Sequence, residues 1–385
     1  MEKIIGLVHT RFSPTGGVES YINKLVPALL ARDWQVHYFA SRIEQPVLPG
    51  MIIHKVPVIR GTSVSRMLSF AYGARRAVQQ ANLPLIMGFG RTICQDIYRD
   101  GSGCFSDYQE YAAKRFNRLY TKSYLHLERK RFNDPRLQKV ITVSQMVKKQ
   151  IISRYRLRPE KVEVVYSGVV AQHLHPGLKK QKNHFRKQLE ISEDILTILF
   201  VGNGFERKGL QHLIKAVGRI PTQVPVMLLV AGKDKKAKRY QQLADEIGCG
   251  ARICFLGYRA DIDCLYGAAD LLVLPSLFDP IANVVLEALY TGTPVVTGPQ
   301  VGASELVHHR VNGFVVPDYT PATLAQAILT YYQSPHKEEM AHRAHQAAAA
   351  YRWDFHMDRL EKIFFQVLEE KMLGGGNMLL RKYPG

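Results

Sequence analysis

The sequence predicts an α/β protein built from two doubly wound, Rossmann-like domains. Three observations carry that expectation. Short apolar runs alternate with helical patterns along most of the 385 residues. The runs are rich in Val, Ile and Leu without polar alternation, as in strands of a parallel sheet covered on both faces. The series also begins twice, on either side of a basic stretch with Pro and Gly at residues 175–183.

In order along the chain, the first series has strands expected at 3–10, 35–41, 51–56, 85–90, 139–143 and 162–166, with helices at 17–31, 65–81 and 145–155. The second has strands at 197–202, 226–232, 253–257, 271–275, 294–297 and 313–316. Its helices fall at 208–219, 237–247, 262–267, 282–290 and 323–333. Two helices follow at 336–350 and 354–371, and Gly374-Gly375-Gly376 reads as the start of a flexible tail.

Composition bounds the function. A hydrophobic content of 46% and a charged content of 22% exclude a disordered chain. Five cysteines without a C-x-x-C pair argue against a zinc site or a disulfide framework and fit a reducing compartment. No apolar run reaches spanning length, and the first one is too short for a signal-peptide core. The net charge of +19 is uneven: residues 1–180 hold 29 Lys+Arg and 12 Asp+Glu. A basic half of that kind faces an anionic partner, whether nucleic acid, membrane or phosphorylated substrate.

Ligands of doubly wound sheets bind beyond the carboxyl ends of the strands, so the turns there carry the functional signal. Gly16 and Gly17 follow the first strand where a helix begins; their amides can hold an anion, or they form a plain tight turn. Gly202 opens the loop to Arg207 and Lys208, two cations at a helix start, which that end of a helix disfavours unless an anion lies between them. A diphosphate would satisfy both; the alternative is a solvated basic loop. The Lys233–Lys236 turn repeats the theme more weakly. Asp279 ends a loop and Glu287 follows eight residues later, close enough on a helix for both carboxylates to face one ligand. Amides near Ala282, Asn283 and Val284 can meet a phosphate. An N-capping Asp with an unrelated Glu explains the same spacing.

These residues resemble the GT-B glycosyltransferases of family GT4. Asp279 to Glu287 resembles that family's E-x7-E motif, and the likeness takes in Gly16-Gly17, Arg207-Lys208-Gly209, Gly257, the run from Ala268 through Ser276, and Gly292 to Val296. Within the family the turns at Phe205–Gly209 and Gly232–Lys235 are similar to those of glucosyltransferases that extend the heptose region of lipopolysaccharide core.

The resemblance implies two domains facing a cleft: 1–178 for the acceptor, joined by a C-terminal helix at 352–372 that crosses back, 179–351 for the donor, and a tail at 373–385. It implies a retaining hexosyltransferase without metal or cofactor that moves a sugar, expected to be glucose, from UDP to a membrane glycolipid such as lipopolysaccharide core heptose. Asp279 would contact sugar hydroxyls and Glu287 the donor ribose. Arg207 and Lys208 would hold the diphosphate, assisted by Lys235, with the base near Tyr258. The Gly16-Gly17 amides would lie near the donor phosphate or sugar. The sequence departs from the family at Asp279, one methylene shorter than Glu, at Asn203, where a basic residue is common, at Ser167-Gly168-Val169-Val170, which replaces N-G-V-D, and at Phe105, where His is frequent.

Asp100 is the candidate to assist the acceptor hydroxyl, with Asp96 as rival; either can equally be a structural aspartate. Asp261 reads as a helix cap. Residues 111–139 carry nine Lys+Arg against two acids, with aromatics interleaved. Lys114, Arg115, Arg118 and Lys122 would rest on an anionic membrane or a phosphorylated acceptor. The bland alternative packs the aromatics inward and solvates the charges. A transferase acting on another lipid or polysaccharide, or a nucleic-acid-binding protein on an inactive enzyme-like fold, are the competing functions. Carboxylates among the donor motifs argue against nucleic acid as the partner. The expected location is the cytoplasmic face of the membrane, held peripherally.

Overall fold

The computed structural model describes residues 2–112 and 117–380. The chain forms two compact units, residues 1–166 with 356–385, and residues 167–355. Unit 1 contains β1 (Ile4–Val8), β2 (Arg11–Phe12), α1 (Gly17–Leu30), β3 (Gln35–Ala40), β4 (Arg42–Ile43), β5 (Met51–Lys55), α2 (Ser63–Ala81), β6 (Ile86–Phe89), β7 (Ile97–Asp100), α3 (Phe105–Ala112), α4 (Arg118–Phe132), β8 (Lys139–Thr142), α5 (Gln145–Tyr155) and β9 (Val162–Val164). Unit 2 contains α6 (Lys182–Gln188), β10 (Leu196–Val201), α7 (Leu210–Val217), β11 (Val226–Ala231), α8 (Ala237–Glu246), β12 (Ile253–Gly257), α9 (Ile262–Ala268), β13 (Leu271–Val273), α10 (Asn283–Tyr290), β14 (Val295–Thr297), β15 (Gly313–Val315), α11 (Pro321–Gln333) and α12 (Lys337–Ala348). The last helix, α13 (Trp353–Leu380), begins at the end of unit 2 and belongs to unit 1 from His356 onward.

Each unit is a parallel sheet. Unit 1 has the order β5-β3-β1-β6-β7-β8-β9 and unit 2 the order β12-β11-β10-β13-β14-β15. Strand order reverses beside β1 in the first and beside β10 in the second, the switch points where such sheets leave a crevice. The burial that sequence composition predicts is present: Ile5, Leu7, Val36, Tyr38, Ile198, Leu199, Leu228 and Leu272 are fully enclosed. Helices start where a side chain replaces a missing backbone partner. Thr62, Asn117, Ser144 and Thr320 each accept a bond from an amide in the first turn of α2, α4, α5 and α11.

Several expectations are corrected. The change of unit falls at residue 167, ahead of the expected 178, because Val169 exchanges backbone bonds with Tyr351 and Trp353, and Lys179 donates to the carbonyls of Tyr266 and Ala269. No strand is expected between 90 and 139, but β7 forms there, its Arg and Asp disguising a fully buried strand. Residues 373–380 continue α13 rather than forming a tail, since an existing helix propagates more easily than a new one nucleates. Asp261 caps nothing with its side chain; it pairs with Arg259 at 2.5 Å. Among the described residues no helix is long and apolar enough to cross a membrane.

α13 closes the amino end of the unit 1 sheet. Trp34 donates to Glu361 Oε1 at 2.7 Å and meets Phe364 edge-on, and Lys371 reaches Asp96 at 2.9 Å. Replacing the buried Trp34 by Ala should cost about 3–5 kcal/mol, read as a lower urea midpoint for the full chain.

Candidate functional site

In unit 2 the loops after β10 and β13 meet through charge. Lys208 Nζ bonds Asp279 Oδ2, and Arg207 Nη1 lies 3.4 Å from the same oxygen while donating to Phe278 O at 2.8 Å. The other carboxylate oxygen, Oδ1, accepts from Ala282 N at 2.9 Å. Burial pushes the Asp279 carboxyl up, but Lys208 and Arg207 outweigh it and hold it below the usual range. The anion expected between the two cations is therefore present within the protein, with one positive charge left in excess.

Glycine lets these loops approach. Gly209 begins α7 at φ 74°, and a Cβ there would collide with the Pro275 carbonyl; at Gly202 a Cβ would press the Lys208 stem at 3.1–3.3 Å. The loops after β10 and β11 are tied as well: Asn203 Oδ1 accepts from Lys233 N and Asp234 Oδ2 from Phe205 N, both at 2.7 Å. Asn203 thus stitches two loops where a basic residue was the family expectation. Ala282, which begins α10, sits at φ 57°, a left-handed conformation that costs an L-residue about 1–2 kcal/mol. The Asp279 bond to its amide holds it there. The first amides of α10, at Asn283 and Val284, point away from any intrahelical partner.

The structure joins Arg207, Lys208 and Asp279 directly. Glu287, half-buried on α10, instead accepts from Tyr266 Oη at 2.8 Å. Lys235 and Tyr258 are exposed on the neighbouring strand-end loops, with Lys233 Nζ 4.9 Å from the Tyr258 ring centre. Tyr266 was not singled out in the sequence; a lone Tyr in a short helix gives no signal until its carboxylate partner is seen.

In unit 1 the turn after β1 is built around Glu19. His9 Nε2 lies 3.3 Å and Arg11 Nε 2.5 Å from Glu19 Oε1. Burial raises this carboxyl, but its bonds to His9 and Arg11 bring it down to about 2. Gly16, at φ 129°, leaves no room for a Cβ beside the Glu19 carboxylate. Gly17 starts α1.

Asp100 ends β7 and is enclosed. Ser102 N donates to its Oδ1 at 3.1 Å, and burial, reinforced by Glu128, raises its carboxyl to about 6 against Arg131. Asp96 lies at the opposite end of the same strand, bonded to Ile86 N and Lys371, so it does not face the carboxyl-end crevice. Phe105 stacks on Tyr124 at 4.0 Å between ring centres. On α4, Tyr120 and Phe132 are buried and Arg118 and Lys122 exposed. Glu128 and Arg131 of the same helix are buried with the rings, and Arg129 faces solvent. Lys114 and Arg115 lie outside the described residues.

A carboxyl whose folded-state value exceeds its unfolded one binds its proton more tightly when folded, so it withdraws stability as pH rises. For Asp100 that loss runs from about 4 to above 6. Asp100→Asn should therefore gain in melting temperature relative to wild type at pH 8 compared with pH 5; a pH-independent difference would contradict the assignment.

Comparison with known proteins adds the following. The family model for Glycosyl transferases group 1 matches residues 181–351, and that for Glycosyltransferase Family 4 matches residues 15–173. An uncharacterized glycosyltransferase, MJ1607 of Methanocaldococcus jannaschii, is 33% identical over 192 residues, 49% of each chain. The lipopolysaccharide glucosyltransferase WaaG of Escherichia coli (strain K12) is 24% identical over 323 residues, covering 82% of this chain and 85% of that protein. A crystal structure of WaaG superposes with a TM-score of 0.78 at 22% identity, covering 91% and 96%. Anabaena Alr3699/HepE, solved with UDP and glucose, gives a TM-score of 0.71 at 21% identity, covering 95% and 100%. The fold is GT-B, with two Rossmann-like domains.

Proposed function

This chain belongs to the glycosyltransferases of group 1 and family 4, and from that premise we propose that it transfers glucose from UDP to a phosphorylated membrane glycolipid, of which lipopolysaccharide core is the model. The observation that carries the reading is the Lys208–Asp279–Arg207 cluster beyond the carboxyl ends of β10 and β13, with one positive charge in excess. A nucleic-acid-binding protein has no use for that carboxylate. WaaG by its name uses glucose and lipopolysaccharide, and HepE was solved with UDP and glucose; both support the choice of donor.

In this reading the donor diphosphate lies against Lys208 and Arg207 and the first amides of α10 at Asn283 and Val284. As the bond from the sugar C1 to the diphosphate oxygen breaks, negative charge grows on that oxygen, and the two cations neutralise it in a preorganised site. They supply the charge a divalent metal gives elsewhere. Lys235 assists from the next loop. Asp279, fixed by the Ala282 amide, orients sugar hydroxyls, and Glu287, steadied by Tyr266, holds the ribose while Tyr258 borders the base. The acceptor hydroxyl oxygen bonds to C1 on the face the diphosphate leaves, and its proton passes to the departing diphosphate oxygen, retaining configuration without a protein nucleophile. The Gly16-Gly17 amides serve the donor phosphate or sugar, and Asp100 assists the acceptor hydroxyl. The enzyme works at the cytoplasmic membrane face, with Arg118 and Lys122 of α4, and Lys114 and Arg115, toward anionic lipid.

UDP-glucose should raise the melting temperature of the wild type, and no response to any common nucleotide sugar would sink the enzyme reading. Lys208→Ala should lower turnover by about two or more orders of magnitude, as loss of a preorganised charge does; near-normal turnover removes it from the diphosphate role. Replacing Lys114, Arg115, Arg118 and Lys122 together should weaken binding to anionic vesicles by about 1 kcal/mol per charge, measured by co-sedimentation.

A further inference from the structure

Unit 1 contains a pocket of about 300 Å³ that the donor loops do not use. Four arginines line it, Arg11, Arg42, Arg66 and Arg91, together with the hydroxyl residues Thr10 and Ser41. Arg11 follows β1, Arg42 follows β3 and Arg91 follows β6, so the pocket lies beyond the carboxyl ends of the strands at the switch point of the sheet.

The charges there are placed against their own interest. Arg11 and Arg42 are register partners in the short β2–β4 pair, where like charges facing each other destabilise. Arg66 sits near the amino end of α2, the end that repels cations. Counter-charge is scarce. Glu19 engages Arg11 at 2.5 Å, and Glu44 is 3.9 Å from Arg42. Among the described residues no carboxylate pairs with Arg66 or Arg91. Arg91 is held instead over the rings of Tyr124 and Tyr120, at 5.3 and 5.6 Å from their centres. Four guanidiniums from four different segments line one pocket with two carboxylates between them, a surplus of positive charge that an anion would offset. Guanidinium forks match a tetrahedral phosphate two bonds at a time. The pocket floor, where Met67 and Phe70 are buried, suits the apolar face of a sugar ring.

We propose that this pocket binds a phosphate monoester carried by the acceptor, so that an acceptor-phosphorylating reaction precedes this one. The assignment rests on the reading that unit 1 holds the acceptor. The double variant Arg42→Gln with Arg66→Gln removes two exposed side chains, and its melting temperature, compared with wild type, verifies that it folds.

Calorimetry on the full chain at low salt then uses inorganic phosphate, glucose 6-phosphate and glucose as probes. Wild type should bind the two phosphates and not glucose, and the double variant should lose about tenfold in affinity for each guanidinium removed. Phosphatidic acid vesicles that displace glucose 6-phosphate from wild type would assign the phosphate to a lipid headgroup; failure to displace it assigns it to a sugar. Equal phosphate affinity in the variant and wild type would overturn the proposal. So would phosphate binding that survives in the variant and disappears in Lys208→Ala. The shift of melting temperature with UDP-glucose is measured on the same samples. Its absence from wild type would defeat the donor reading while leaving the phosphate result standing.

Discussion

The ion pair between Lys208 and Asp279 fixes the functional end of unit 2. A buried charge is tolerated only with its partner in place, and losing one member leaves the other stranded at a cost of about 3–5 kcal/mol. The two residues are 71 positions apart, so the pair locks the loop after β10 to the loop after β13. Much follows from that requirement. Gly209 must be glycine, because the β10 loop passes against the Pro275 carbonyl to deliver Lys208. Asp279 must stay ionised, and its second oxygen then holds Ala282 in a left-handed turn, which sets where α10 begins and where its free amides stand.

Unit 1 uses the same device with the same signs. One carboxylate, Glu19, gathers His9 and Arg11, and Gly16 exists in its extended positive-φ form because Glu19 occupies the space a side chain would need. At the same carboxyl end of the sheet, His356 donates through Nδ1 to Tyr166 O and accepts from Tyr21 Oη, and burial first, then Arg99, holds it at about 3, so it stays neutral. The amino end is closed by Trp34, Asp96 and Lys371. Residues of α13 thus brace both ends of the strands.

The fold was largely legible because its signal is local. Unbroken Val, Ile and Leu runs marked the strands, and glycines and caps marked the turns. β7 escaped because Ile97-Tyr98-Arg99-Asp100 places two charged residues in a strand, and nothing local reveals that Arg99 lies over Tyr21 at 3.4 Å from its ring centre. The candidate site was legible as residue types and spacing: two cations at a helix start, two carboxylates eight apart. What joins them was not. Asp279 as partner of Lys208, and Tyr266 as partner of Glu287, are long-range choices that no window of sequence contains. The arginine pocket is the extreme case, since Arg11, Arg42, Arg66 and Arg91 are scattered singly and only the order of the strands brings them together.

The surplus of positive charge in residues 1–180 now divides by environment. Part of it gathers in a pocket lined by arginines and hydroxyl residues over Met67 and Phe70. Part lies along the outer face of α4, where Arg118, Lys122 and Arg129 are exposed and the aromatic rings of the helix are committed to the interior. The second part lacks aromatic side chains to bury in lipid; Leu119 is the large apolar residue exposed on that helix. Attraction between this face and an anionic surface is therefore coulombic, weakened over a Debye length of about 8 Å at physiological salt, and reversible. In the proposed reading, a weak, general attraction of this kind would hold the enzyme near a surface and still release it. Recognition of a particular acceptor needs bonds of fixed direction, which in that reading the pocket arginines would provide and the helix face would not. The same excess of charge would then serve two proposed purposes, distinguished by its arrangement in the fold: gathered from several segments around one pocket, or spread along one helix face.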